Sequence, residues 1–166
     1  YFSRNMESEF LTITQRIFRL GDVDVDTKLK LYDDYITKDE SFYRRNFFAI
    51  NTLSSVLHVK YPNNEKVETR YAYHLIRAGE LDKALGIFKR LAHSPQTENP
   101  KEAIMTVMSI EGHLGHADSV RHYLDLAIER LPNDTELYIQ KAYYLAEEGD
   151  NQQAEEYFQR AIEVAP

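Results

Sequence analysis

Residues 142–166, AYYLAEEGDNQQAEEYFQRAIEVAP, rewrite a stretch that stands 34 positions upstream, MSIEGHLGHADSVRHYLDLAIERLP at 108–132. Most letters change, but Gly115 answers Gly149, Ala127 answers Ala161 and Pro132 answers Pro166. A third copy, YAYHLIRAGELDKALGIFKRLA at 71–92, carries Gly79, Ala84 and Phe88. The 36 residues from Gly79 to Gly115 accommodate the longer connection HSPQTENP at 93–100. A repeat that keeps a glycine, a few small residues and a proline describes one supersecondary unit meant to stack on its own copies.

Each copy splits at its glycine into two segments with apolar residues at i, i+3, i+4 and i+7, which is the helix period and not a strand's. The copies therefore read as helical hairpins, with glycine where the first helix must end in a positive-φ turn. Helix starts are signed as well. Asn99-Pro100-Lys101-Glu102 offers a cap, a proline at the first helical position and the return half of a capping box, and the spacings Asn133 to Glu136 and Asp150 to Gln153 repeat it. In the last copy Ala142 lies in the first helix and Ala154 and Ala161, seven apart, share one face of the second, so the two helices can approach closely. Tyr138, Leu145, Tyr157, Phe158 and Ile162 supply the apolar surface. One hairpin cannot bury such a face alone, so at least about three must stack.

Composition excludes several functions. With 166 residues, 43% hydrophobic, the chain is long enough to build a core without disulfides, and its five Pro and six Gly leave helix formers in excess. A net charge of −7 disfavours phosphate-backbone binding, so no nucleic-acid partner is expected. The absence of cysteine removes thiolate nucleophiles and Cys-based zinc sites. No apolar run reaches the length of a membrane span, so a soluble protein without direct membrane insertion is expected. The chain begins with Tyr1 rather than Met and no signal peptide is visible, the expected mark of an excised or processed piece.

The last copy resembles the tetratricopeptide repeat family, whose 34-residue pattern is matched by Tyr138, Ala142, Leu145, Ala154, Phe158, Ala161 and Pro166. The copy from 101 to 134 departs with Glu111 at the large apolar position and Val120 and Leu124 at the Ala and Phe positions. The copy from about 65 to 98 keeps Ala72, Leu75, Ala84 and Phe88. Glu68 and Ile104 hold the first aromatic position in these two. The resemblance covers residues 63–166 and implies an all-α, right-handed superhelix, an α-α solenoid of three hairpins preceded by a more irregular N-terminal helical cap, about nine helices in all. Residues 1–62 resemble the family more loosely. SEFLTITQRIFRL (8–20) reads as an N-terminal cap; DTKLKLYDDYITKD (26–39) and ESFYRRNFFAINTLSSVLHV (40–59) read as a degenerate hairpin continuing one domain, with Pro62 placed before Ala72 as Pro132 is before Ala142. The GDVDVD-to-helix passage is similar to leader segments of tetratricopeptide proteins from Bacteroidetes-type bacteria, many exported, which implies a bacterial periplasmic or exported location.

The resemblance also implies where a partner would lie. In the family, peptides commonly run along a concave groove lined by the first helix of each hairpin. The corresponding positions here are Lys66, Thr69, Tyr73, Ile76 and Arg77, then Glu102, Met105, Ser109, Gly112 and His113, then Glu136, Ile139, Tyr143, Ala146 and Glu147. Tyr and Met suit such contacts because they present apolar area with a polar or adaptable tip. The Lys and Asn clamp of chaperone-tail binders is not written at these positions, which hold Thr69, Tyr73, Met105, Ser109, Ile139 and Tyr143.

Other constellations weigh less. His113, His116 and His122 are the nearest approach to a metal cluster, but two straddle a turn and the third lies along the next helix, so surface histidines are the expected reading over a metal-dependent hydrolase. Asp118, Ser119 and His122 name a triad without an oxyanion nest. Adjacent carboxylates such as Glu147-Glu148 and Glu155-Glu156 point different ways on a helix, and the scattered glycines form no phosphate loop. Tyr43-Arg44-Arg45 and Phe47-Phe48 read as core aromatics with snorkelling arginines. No catalytic residue, cofactor or metal is expected. The expected function is a non-catalytic scaffold that binds a protein or peptide segment, or a helical extension of a larger enzyme-linked or membrane-anchored protein. Residues 132–166, with eight acidic and two basic side chains, add an expected contact surface around Leu145 and Ile162 for further repeats of a longer chain, for self-association with a second copy, or for a partner with basic edges around an apolar centre.

Overall fold

The computed structural model describes residues 4–166, and every regular element among them is helical. The chain runs through α1 (Arg4–Arg19), α2 (Val25–Leu31) with a π-helical continuation over Tyr32–Thr37, α3 (Glu40–Arg45), α4 (Phe47–Lys60), α5 (Glu65–Arg77), α6 (Leu81–His93), α7 (Pro100–His113), α8 (Ala117–Arg130), α9 (Thr135–Glu147) and α10 (Asn151–Val164). The first three residues of the expected N-terminal region lie outside the described residues. Among the described residues no helix is long and apolar enough to cross a membrane. The helices gather into two compact units, Tyr1–Ala84 and Leu85–Pro166, divided within α6.

The glycine turns are three copies of one geometry. Gly79, Gly115 and Gly149 have φ of 77, 79 and 86°, and no non-glycine residue among those described has positive φ. In each turn the N–H of the residue after glycine reaches back to the carbonyl five positions earlier at 2.9 Å: Glu80 to Leu75, His116 to Glu111, Asp150 to Leu145. The glycine N–H bonds to Ile76, Gly112 and Ala146 at 3.0–3.1 Å. This pair of bonds ends a helix by satisfying its last carbonyls, and it requires the left-handed conformation that glycine adopts without strain.

A second turn type also recurs. Tyr61 and Leu131 close α4 and α8 with nearly the same backbone, φ −129 and ψ 61° against φ −131 and ψ 61°. Their N–H groups bond to Leu57 and Ala127, both at 2.9 Å. Asn64 and Asp134 then cap α5 and α9, accepting from Val67 N and Glu136 N. The YPNNE and LPNDT connections are thus equivalent, which carries the repeat back to α4, into the part of the chain where the sequence pattern is weakest.

In the first unit α1 packs on α4 and α4 on α5, around Phe18, Tyr32, Ile36, Tyr43, Ile50, Leu53 and Leu57. The end of α1 is closed by tertiary contacts: the wholly buried Lys28 donates its Nζ–H to the Leu20 carbonyl at 2.6 Å and the Tyr61 hydroxyl at 2.9 Å, and Lys60 donates to the Arg19 and Leu20 carbonyls at 2.6 Å. Cations at a helix C-terminus satisfy orphan carbonyls and oppose the dipole. In the second unit α7 pairs with α8, α8 packs on α9, and α9 pairs with α10. Ala142, Ala154 and Ala161 are all buried, at 0, 4 and 3% exposure, so the expected small-residue contact between α9 and α10 is present.

Four expectations are corrected. The segment read as one helix over 40–59 is two, and among the described residues the α-helices number ten rather than about nine. Asn46 leaves helical geometry at φ −111, ψ 19°, and its side-chain amide donates to the Phe42 carbonyl and to Glu7 of α1, both at 3.0 Å. That tertiary bond leaves no local sequence signal. The cap of α9 is Asp134 rather than Asn133, whereas at α7 Asn99 caps as expected, accepting from Glu102 N at 3.2 Å while its side-chain amide donates to the Glu102 carboxylate at 3.0 Å. Asp150 caps α10 as expected, accepting from Gln153 N at 3.1 Å. Of the aromatics read as core, Tyr43 is buried and Phe47 half-buried, but Phe48 is 88% exposed.

Candidate functional site

Each unit carries a cleft that gathers some of the expected groove residues. In the first unit, Tyr73, Ile76 and Arg77 of α5 face a cleft of about 350 Å³ whose other walls are Tyr32, Asp33 and Thr37 of the π-helical segment, Tyr43 of α3, and Arg70 and His74 of α5. Its cations are held in place. Arg70 donates to both Asp33 carboxylate oxygens at 2.6–3.1 Å. The Arg77 guanidinium lies over the Tyr43 ring, 4.2 Å from its centre, and 3.4 Å from Glu40. Beneath them the Tyr43 hydroxyl meets His74 Nδ1 at 2.5 Å and His74 Nε2 meets Asn51 Oδ1 at 2.9 Å. A carboxamide oxygen only accepts, so Nε2 carries the proton and Nδ1 accepts from Tyr43. Burial, aided by the nearby Arg77 charge, lowers the His74 pKa, and burial raises that of Tyr43.

The second unit's cleft, about 550 Å³, is lined from α7 by Met105, Met108, Ser109 and Gly112, from α9 by Gln140, Tyr143, Tyr144 and Glu147, and at its floor by Val120. Tyr143 is 61% exposed, held edge-on against Phe158 with ring centres 5.5 Å apart. Methionine and tyrosine form the walls and a glutamate stands among them. Nearby cations are engaged: Arg121 with Asp118 at 2.7 Å and Glu148 at 2.5 Å, and Lys141 with Asp125 at 2.8 Å.

The remaining expected positions lie outside both linings. Lys66 pairs with Asp26 at 2.9 Å; Thr69 and Ile139 are half-buried; His113 is exposed at the end of α7. Glu102 belongs to its helix cap, Glu136 stands 3.4 Å from Lys101, and Ala146 is exposed. Ile162 is 68% exposed and Leu145 half-buried.

The histidines part company. His116 meets Glu111 at 2.6 Å, and His122 lies against Tyr123, its ring centre 6.3 Å from that of His93. Among the described residues no three His, Asp or Glu side chains gather as metal ligands. Asp118 is engaged with Arg121 and does not orient His122. Glu111, which stands where the repeat pattern wants a large apolar side chain, is 2% exposed and pairs with Lys89 at 2.5 Å as well as with His116. Burial alone pushes its carboxyl up, but hydrogen bonds from Lys89, His116 and Ser119 outweigh it and hold the pKa down at about 2. The roles of Arg70, His74 and Glu111 were not legible in the chain, apart from the signal that a glutamate occupied an apolar position.

No model of a known protein family matches the chain, and no curated protein matches it.

Proposed function

We propose that the chain is a non-catalytic scaffold of the tetratricopeptide type, a right-handed helical solenoid that binds a protein or peptide segment against the first helices of its hairpins. The observation that carries this reading is the cleft between α7 and α9. Its lining includes Met105, Ser109, Gly112, Tyr143 and Glu147, residues at the groove positions that the family resemblance implies. Three glycine turns of one hydrogen-bond pattern and two closely similar proline-containing turns support the repeat on which that assignment depends. Exposed Tyr143 beside Met105 offers rigid aromatic and adaptable thioether contact, the pairing that suits recognition of an apolar anchor. Glu147 and the surplus of carboxylates over 132–166 favour a partner segment with basic residues flanking that anchor.

Panning a displayed random-peptide library against the protein, then measuring the selected peptides on a Tyr73→Ala, Met105→Ala, Tyr143→Ala variant, tests the proposal. Enriched peptides should carry an apolar anchor with Lys or Arg beside it and should bind the variant at least about tenfold more weakly, since interface anchors typically contribute more than 1 kcal/mol each. Enriched peptides that bind the variant as tightly as the parent would remove the groove from the account.

A further inference from the structure

The π-helical segment Tyr32–Thr37 borders a second, separate depression on the first unit. Asp34 and Tyr35 from that segment, Lys38 and Asp39 just after it, Phe42 from α3, and Glu7 and Phe10 from α1 enclose about 240 Å³. Three aromatic rings form its walls. The Phe10 ring centre is 6.4 Å from that of Tyr35 at an interplanar angle of 57°, and 6.2 Å from that of Phe42 at 68°. Rings inclined in this way meet as the sides of a box rather than lying in a stack. Tyr35 remains 64% exposed although it is a large aromatic side chain. A π-helical turn is a rare conformation that recurs at functional sites, and here it sets Asp34 and Tyr35 at the box while Tyr32 and Asp33 serve the cleft described above.

The charges around the box are mostly negative. Glu7 is ion-paired with Arg45 at 2.9 Å and accepts from Asn46 at 3.0 Å, and these hydrogen bonds keep its carboxyl below the usual range. Asp39 accepts from the Phe42 backbone at 3.0 Å, capping α3. Arg45 offsets Glu7 and also lies within the field of Asp39, while Lys38 is the cation in the lining itself beside Asp34 and Asp39. The walls are apolar and two of the three carboxylates are already hydrogen-bonded, so the site suits a cation that brings no donors of its own. Ring faces attract weakly hydrated cations through their quadrupole, and quaternary ammonium groups are the usual occupants of such boxes. The volume falls below the roughly 300–1,000 Å³ of sites for drug-sized ligands, which restricts the fit to a small head group.

We propose that the box of Phe10, Tyr35 and Phe42 binds a small free quaternary ammonium solute, with Asp34 and Asp39 supplying the counter-charge and Lys38 competing for the same space. This site is independent of the peptide-binding reading and shares no residue with the α7–α9 cleft.

Isothermal titration of the full chain with choline and with tetramethylammonium tests it, using 3,3-dimethylbutanol, the uncharged carbon counterpart of choline, as the control. Both cations should bind at about millimolar dissociation constants, with the neutral alcohol at least about tenfold weaker. Tyr35→Leu, an exposed position where loss of fold is easily checked by circular dichroism, should weaken choline roughly tenfold, and Lys38→Gln should tighten it. Equal binding of choline and its neutral counterpart would overturn the proposal, as would no heat from either cation at concentrations far above millimolar. Retention on phosphatidylcholine vesicles without binding of free choline would assign the box to a lipid surface and overturn the free-solute assignment.

Discussion

The Tyr43 hydroxyl donates to Nδ1 of a His74 ring that is 1% exposed, joining α3 to α5 through one buried polar bond. Asn51 of α4 accepts from the opposite nitrogen, so three helices meet on one imidazole. Removing the hydroxyl while keeping the ring isolates that bond. Tyr43→Phe retains the surface under Arg77 and leaves Nδ1 unpaired, and it should lower stability by about 1–3 kcal/mol in urea titration.

The same imidazole makes the first unit acid-sensitive. Its pKa is lowered in the folded state, so the unfolded chain binds more protons below the ordinary histidine value of 6.5. Stability contributed by neutral His74 is fully present above that pH and is lost as pH falls toward the lowered folded value. Urea midpoints should therefore decline as pH drops below 6.5, and His74→Gln should flatten that part of the curve.

Glu111 places a second window lower. Its folded pKa of about 2 against an ordinary 4.5 means that its contribution is complete above 4.5 and disappears as pH falls to about 2. Replacement distinguishes charge from volume. Both variants remove the partner of Lys89, but Glu111→Ala also leaves a void and should cost about 2–4 kcal/mol, whereas Glu111→Leu restores the apolar residue of the repeat and should stay within about 1 kcal/mol of the parent. Lys89 is 38% exposed and can turn to water in either variant.

Two glycines three residues apart should respond with opposite sign. Gly115→Ala forces a Cβ into φ 79° and should destabilise by about 1–2 kcal/mol. Gly112 is helical, and a Cβ there would meet only Val120 Cγ2 at 3.8 Å, an ordinary contact, so Gly112→Ala should stabilise by about 0.5–1 kcal/mol. Thermal unfolding of the two variants side by side reads both.

Much of the helical framework was legible because its signals are local. A glycine that must take positive φ, a side-chain cap three residues ahead of its amide, and alanines seven apart each act within one or two turns of chain, so Gly79, Gly115, Gly149, Asp150 and the pair Ala154 and Ala161 announced their roles in sequence. Tyr73, Ile76, Arg77, Met105, Ser109 and Tyr143 were assigned to a groove only by the family resemblance, and which of them share a cleft depended on neighbouring helices. What only the tertiary structure decided involves pairs distant in the chain: Asn46 with Glu7, Lys28 with Tyr61, Arg70 with Asp33, and Phe10 beside Tyr35 and Phe42. Periodicity tells which way a side chain faces on its own helix; it carries no information about which residue of another helix will stand opposite, and the buried charges and the aromatic box are built from such oppositions.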